Sequence, residues 1–390
     1  MECRVRLGDV VKVVKRGVKP EPGIVYRHYS LPAFDNGMRP EKVDGDTIRS
    51  SKLVVFPNTI LMNKLNVRFK RVWPVLECND RSIASTEFMP LKVEGADYWY
   101  IYYYLISPAL TSLIEGMRTG TSGSHQRIDA SSFLGIQIDL PSLKNQEAIG
   151  RILRAFDEKI ELNNRINDYL VELLDAQFKQ VLIDADISWK RATLLDIANY
   201  KNGLAMQKFR PGGNDRGLPV LKIRELGQGY CGADAERCRS DIDESVVIHD
   251  GDLIFSWSGT LLLDFWAAGD AGLNQHLFKV TSKDYPSWFY YMWTKHHLRR
   301  FIAMAKDRAT TMGHIKRSAL QESEVMIPPG NTLAELTATM QPMVDEMIGL
   351  RIEGRKLRML RDALLPKLMS GEIDVSQIDL TQLNNRLSDC

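Results

Sequence analysis

The chain of 390 residues repeats itself over nearly half its length. Leu7-Gly8-Asp9-Val10 returns as Leu194-Leu195-Asp196-Ile197. Asn58-Thr59-Ile60-Leu61-Met62 returns as Gly251-Asp252-Leu253-Ile254-Phe255. The aromatic block Asp97–Tyr103 returns around Asp284–Tyr291, and Asp157-Glu158-Lys159-Ile160 returns as Asp345-Glu346-Met347-Ile348. The order is kept and the offset stays near 190 residues. Solenoid repeats run about 20–50 residues, so this period is that of a whole domain followed by a long helix. A chain built of two matched halves presents two matched surfaces.

Texture separates heads from stems. Residues 1–142 mix short strand-like runs (Lys52–Pro57, Thr59–Met62, Gly135–Leu140) with turns. From Lys144 to Asp184 the only Gly or Pro is Gly150. Apolar residues there recur mostly three or four apart, at Ile149, Ile152, Phe156, Ile160, Ile166, Leu170, Leu173 and Val181. That spacing predicts one long amphipathic helix over 143–184, with Asn163 and Asn167 as polar breaks that set register. A second head follows over 185–329, with strands near Leu218–Ile223 and Asp252–Ser256. A second helix spans 330–373. It is expected to open on a Thr332-x-x-Glu335 capping box, to kink near Pro366 and to end at Gly371. Its seam is Leu333, Leu336, Met340, Met343, Met347, Leu350, Leu357, Leu364 and Leu368. Residues 374–390 form a polar tail. The expected fold class is α+β: two pseudo-symmetric mixed heads joined by two long antiparallel coiled-coil helices.

Charge is nearly balanced, at +2. Residues 1–142 carry about +4 and residues 184–329 about +1, so the heads are mildly basic and the stems mildly acidic. The five cysteines form no C-x-x-C pair, and the seven histidines show no metal-ligand spacing. Reduced thiols in a cytoplasm are expected. The N-terminal residues lack the apolar stretch of a signal peptide. The apolar window Tyr98–Ile114, interrupted by Pro108, reads as a buried helix.

No phosphate-binding loop, dinucleotide fingerprint or nucleophile elbow occurs. Asp44-Gly45-Asp46 lacks the spaced ligands of a calcium loop. The absence of such motifs favours binding over catalysis. What recurs is a polar, basic segment late in each head: Arg118–Arg127, with Ser124, His125, Gln126 and Arg127, and Arg308–Arg317, with Arg308, Thr310, Thr311, His314, Lys316 and Arg317. Hydroxyls and cations there suit phosphate oxygens, and Arg, Gln and His suit base edges. A single such segment reads as a solvated loop. Its recurrence favours DNA contact. Weaker candidates are Lys222 and Arg224, expected on one face of a strand, and Lys64, Trp257, Ser258 and Thr260, just after matched strands. Arg27, His28, Tyr29 and Ser30 read equally as a base-contacting segment or a sheet face.

Three segments carry a family resemblance: Leu-Pro-Ser-Leu-Lys-Asn-Gln-Glu-Ala-Ile (140–149), Phe-Asp-Glu-Lys-Ile-Glu-Leu-Asn-Asn-Arg-Ile-Asn (156–167) and Leu-Arg-Asp-Ala-Leu-Leu-Pro-Lys-Leu-Met-Ser-Gly-Glu-Ile (360–373). With Gly251-Asp252-Leu253-Ile254 and Gly313-His314-Ile315-Lys316, they make the chain resemble the specificity subunit of type I restriction–modification systems. The resemblance implies two target-recognition domains, each reading half of a split double-stranded DNA target, and helices that set the gap. It implies no catalysis and no cofactor in this chain. Two modification subunits would use S-adenosylmethionine, and two restriction subunits would use ATP and Mg2+. Ser124-His125-Gln126-Arg127 stands opposite Gly313-His314-Ile315-Lys316, and unlike heads imply an asymmetric target. The specificity chain of a fused type II enzyme would look the same, and a protein-binding coiled-coil scaffold is the reading from a different class.

Overall fold

The computed structural model describes residues 3–64, 70–116, 127–307 and 313–376. It forms two compact units, Met1–Glu158 with Met359–Cys390, and Lys159–Arg358.

In the first unit, four strands pair in the order Val11–Val13, Phe88–Val93, Thr59–Asn63, Val72–Val75. All are antiparallel, and one rung runs Val13, Leu91, Ile60, Pro74. In the second unit the order is Asn199–Asn202, Leu277–Thr281, Leu253–Ser256, Leu263–Phe265. The matching rung is Tyr200, Val280, Leu253, Phe265. Order and register are the same, so the repeat is one of fold as well as sequence. The central strand of each sheet follows a left-handed residue, Asn58 at φ 55° and Gly251 at φ 92°. Asn and Gly are the residue types that tolerate this conformation, which explains their exchange.

A second sheet repeats too. In the first unit it runs Gly17–Val18, Lys52–Val54, Ser82–Ala84, Val25–Tyr29, Glu41–Asp44. In the second it runs Val247–Ile248, Ala271–Leu273, Leu218–Leu221, Arg237–Cys238. Each contains one parallel pair, with Tyr29 beside Ala84 and Leu221 beside Leu273. Each head also opens on a short helix locked by an aspartate. Asp9 accepts from Arg6 N–H, and Asp196 accepts from Thr193 N–H, both at 2.8 Å.

The aromatic blocks are core, as their apolar density suggests. Tyr100 to Leu105 are buried in the helix Tyr98–Ile106, and Trp288 and Phe289 are fully buried in Ser287–Asp307. Asp97 caps the first of these, accepting from Tyr100 N–H at 2.7 Å. A Cβ on Gly150 would stand 2.6 Å from the Asp97 carboxylate and 3.0 Å from Trp99. The lone glycine of the first long helix therefore lets that helix approach the aromatic helix.

The long helices are Leu143–Asp184 and Gly330–Met369. In the first unit Ile149, Ile152, Leu153, Leu365 and Leu368 join the head's core. In the second, Leu174, Phe178, Val181, Met340, Val344 and Met347 do so. In each unit the pairing is antiparallel: Asp157 meets Arg361, and Asn163 meets Leu350 and Glu353. Three expectations need correction. Leu173 is 44 % exposed and its neighbour Leu174 is buried, because the inward face follows the head as well as the partner helix. The second helix starts at Gly330, where Leu333 N–H reaches Pro329 C=O at 2.8 Å, so Thr332 lies in its first turn and is not the cap. The strand at Leu218 stops at Leu221. Lys222 is the N-cap of a short helix, Ile223–Gln228, so Lys222 and Arg224 do not share a strand face. Gly371, at φ 73°, follows the end of the second helix. Among the described residues no helix is long and apolar enough to cross a membrane.

Candidate nucleic-acid interface

In each head three segments converge where the central strand ends. In the first head Lys64 N–H donates to Glu87 C=O at 2.9 Å, and Ile128 N–H donates to Lys64 C=O at 3.1 Å. In the second, Trp257 N–H donates to His276 C=O at 3.4 Å, and Ile315 N–H donates to Trp257 C=O at 3.0 Å. These bonds make Lys64 equivalent to Trp257, Glu87 to His276, and Arg127 to His314. Setting Ser124-His125-Gln126-Arg127 opposite Gly313-His314-Ile315-Lys316 is thereby corrected. By these bonds the counterpart of His314 is Arg127, two residues further along the first copy. Ser124, His125, Gln126, Arg308, Thr310 and Thr311 lie outside the described residues.

The framework beneath these positions is alike. Ile128 and Ile315 are both buried, as are Phe88 and Leu277 and the polar pair Asn63 and Ser256. The projecting chemistry is not alike. In the first head Arg127 donates to Glu87 Oε1 at 3.0 Å and remains 62 % exposed. Glu87 Oε2 is buried and has no hydrogen-bond partner among the described residues. Burial pushes the Lys64 amine below its usual range, opposed by the Glu87 charge. In the second head the Trp257 ring lies 6.1 Å from His276 and 6.2 Å from His314. Trp257 Nε1 donates to Asn202 Oδ1 at 3.1 Å, and Ser258 Oγ shares a hydrogen bond with His276 Nδ1 at 3.0 Å. Thr260 is exposed, and its carbonyl accepts from Ser256 Oγ at 2.8 Å. A bridge between Ser258 and His314 holds the His314 segment against the sheet. Gly313 sits so close that a Cβ there would lie 2.4 Å from Ala305 C=O.

The remaining candidates divide. Lys316 and Arg317 are exposed at the start of the helix Arg317–Gln321. Arg27 is exposed, and His28 is half-buried. Burial and nearby Lys52 hold the His28 imidazole below its usual pKa. Tyr29 is turned into the core, edge-on to Trp73 at 4.8 Å, and Ser30 Oγ accepts from Ala33 N–H at 3.0 Å. Burial and capping account for both. Ser30 and Lys222 occupy equivalent places at the start of the helix after the parallel strand, though only the Ser30 side chain caps its helix. Lys222 pairs with Glu236, and Arg224 with Glu225 and Asp234. Each of these cations is thus ion-paired to an acid of its own head. Glu87 and His276 were not singled out from the sequence. Their signal is a common position, one residue before a matched strand, separated by nearly the repeat offset.

The profile of the type I restriction modification DNA specificity domain matches residues 4–171 and again 187–348, one copy for each half. The chain is 22 % identical over 318 residues to the type I restriction enzyme MjaIX specificity subunit of Methanocaldococcus jannaschii, covering 73 % of this chain and 71 % of that one. It is 25 % identical over 211 residues to the EcoBI specificity subunit of Escherichia coli, covering 52 % of this chain and 43 % of that one. A solved type I restriction–modification S subunit from M. genitalium shares the fold, with a TM-score of 0.56 at 16 % identity over 94 % of this chain and 96 % of that one. A doubled fold and a doubled profile match agree: the chain belongs to the type I restriction–modification DNA specificity subunits.

Proposed function

We propose that each head reads one half of a bipartite, asymmetric DNA sequence, and that the long helices set the unspecified gap between the halves. The observation that carries this reading is the repetition of a complete recognition fold, strand order and register included, with unlike side chains at its projecting positions. Two copies of one framework suit two half-sites, and different side chains suit different sequences. The exposed cations Lys316 and Arg317 supply phosphate contacts that give affinity.

The helices also dock two modification subunits, and two restriction subunits complete the assembly. S-adenosylmethionine, ATP and Mg2+ act on those partners. Leu162, Tyr169 and Leu173 support the docking role. They are spaced seven and four residues apart on one helix face, and are 47 %, 61 % and 44 % exposed. Such an apolar stripe on a helix suits a partner helix. The test is selection of duplexes from a randomised library by the full chain with its modification subunits. Two short specified blocks separated by a fixed unspecified gap are expected. A single contiguous block, or no specified bases, contradicts the reading.

A further inference from the structure

From the matched convergence points we infer that the position held by Glu87 in the first head and His276 in the second is a base-reading position, at which the side chain decides which base each half-site accepts. This rests on the reading that the heads contact DNA, and names where one of their contacts lies.

Comparison of the two copies separates framework from reader. Backbone hydrogen bonds fix Glu87 and His276 identically, each accepting from the residue just past the central strand. The framework keeps its class: Phe88 becomes Leu277, and Ile128 stays Ile315. The three projecting positions change class together: Lys64 to Trp257, Glu87 to His276, Arg127 to His314. A purely structural cluster would be expected to keep its chemistry along with its framework. A phosphate-binding cluster would stay cationic in both heads. Neither describes a carboxylate in one copy and an imidazole in the other.

Glu87 itself argues against phosphate contact, since a carboxylate repels the DNA backbone. One of its oxygens holds Arg127, and the other has no hydrogen-bond partner among the described residues. A shielded acceptor without a donor is costly to keep. The exocyclic amino group of cytosine or adenine in the major groove is the donor it lacks, and guanine O6 and N7 are the acceptors that suit Arg127. Arg127 keeps 62 % and Glu87 28 % of its side chain in solvent, so both groups of the pair are within reach of a base edge. In the second head His276 is held by Ser258 and lies beside the Trp257 ring, which gives it a fixed imidazole edge in place of a charge.

The experiment measures binding of the full chain with its modification subunits to the selected duplex and to duplexes carrying each single base-pair change. Wild type should lose roughly tenfold or more at specified positions. In E87Q, discrimination should collapse to less than about threefold, or switch to another base, at one base pair of one half-site, with every other penalty retained. H276N should do the same at one base pair of the other half-site, and R127Q at a base pair different from that of E87Q. The retained penalties show that each variant is folded. If E87Q and H276N keep all wild-type penalties, the position reads no base. If E87Q and R127Q affect the same base pair, Glu87 only positions Arg127. If E87Q loses binding to every duplex alike, Glu87 belongs to the framework. Each of these three results overturns the inference while DNA reading by the heads stands. A wild type with no base preference overturns the broader reading, and the inference with it.

Discussion

Asn163 on the first long helix donates from Nδ2 to a Glu353 carboxylate oxygen of the second at 2.6 Å. Asn163 is 1 % exposed and Asn167 is 7 % exposed, and each has an Oδ1 without a hydrogen-bond partner among the described residues. Polar residues in an apolar seam specify register at a cost in stability. Replacing both by leucine removes the two unsatisfied acceptors and adds apolar surface. The double variant should be more stable by about 1–2 kcal/mol, read as a shift of the denaturant midpoint at unchanged slope. A loss of stability would show that the Asn163–Glu353 bond outweighs the orphaned acceptors.

Gly313 leaves no room for a side chain against the Ala305 carbonyl. Gly313→Ala should destabilise the second head by about 1–3 kcal/mol, because the new methyl meets backbone and not a movable side chain. Gly330→Ala is the control, since nothing stands within 4 Å of its Cβ. Thermal unfolding of both variants checks the difference.

Lys316 and Arg317 are exposed and carry no fold-bearing ion pair among the described residues. Lys316→Ala with Arg317→Ala should weaken binding to all duplexes about equally. The slope of log affinity against log salt should become shallower by roughly 0.9 for each phosphate that is no longer neutralised. An unchanged slope would return both residues to the solvated surface.

His249 bridges Glu244 and Asp270, each at 2.8 Å, and the hydrogen bond to Glu244 followed by that to Asp270 raises its pKa. A raised folded pKa stabilises the protein fully below the unfolded value of about 6.5, and that contribution is lost as pH rises through the folded value. The effect is modest because the side chain is 44 % exposed. His249→Gln should remove this decline, leaving stability flatter above about pH 6.5 than in the wild type. Denaturation midpoints across that range read the difference.

Much of this architecture is legible from residue order. Asn58 and Gly251 mark one turn in two copies because few residue types tolerate its backbone. The aromatic blocks are core because nothing else buries so many rings. Lys222 and Arg224 mislead because alternation suggests a strand, while a helix beginning at Ile223 and nearby acids claim them. Leu173 and Leu174 differ by one position of helix rotation, which periodicity alone does not decide. Glu87 and His276 stay hidden for another reason. Backbone bonds join them to Lys64 and Trp257, about twenty residues away, and Arg127 and His314 are further still. Only folding makes those groups neighbours.

The central claim, that two heads read two blocks at a spacing the helices set, is tested most directly by inserting four residues after Asn163. The insertion adds about 6 Å to the helix and rotates its downstream half by roughly 40° beyond one full turn, so the apolar seam approximately keeps its face. Methylated bases are then mapped across the genome of cells carrying the variant and its modification subunits. The account predicts unchanged half-site sequences with the unspecified gap longer by one or two base pairs. An altered half-site with an unchanged gap would contradict it.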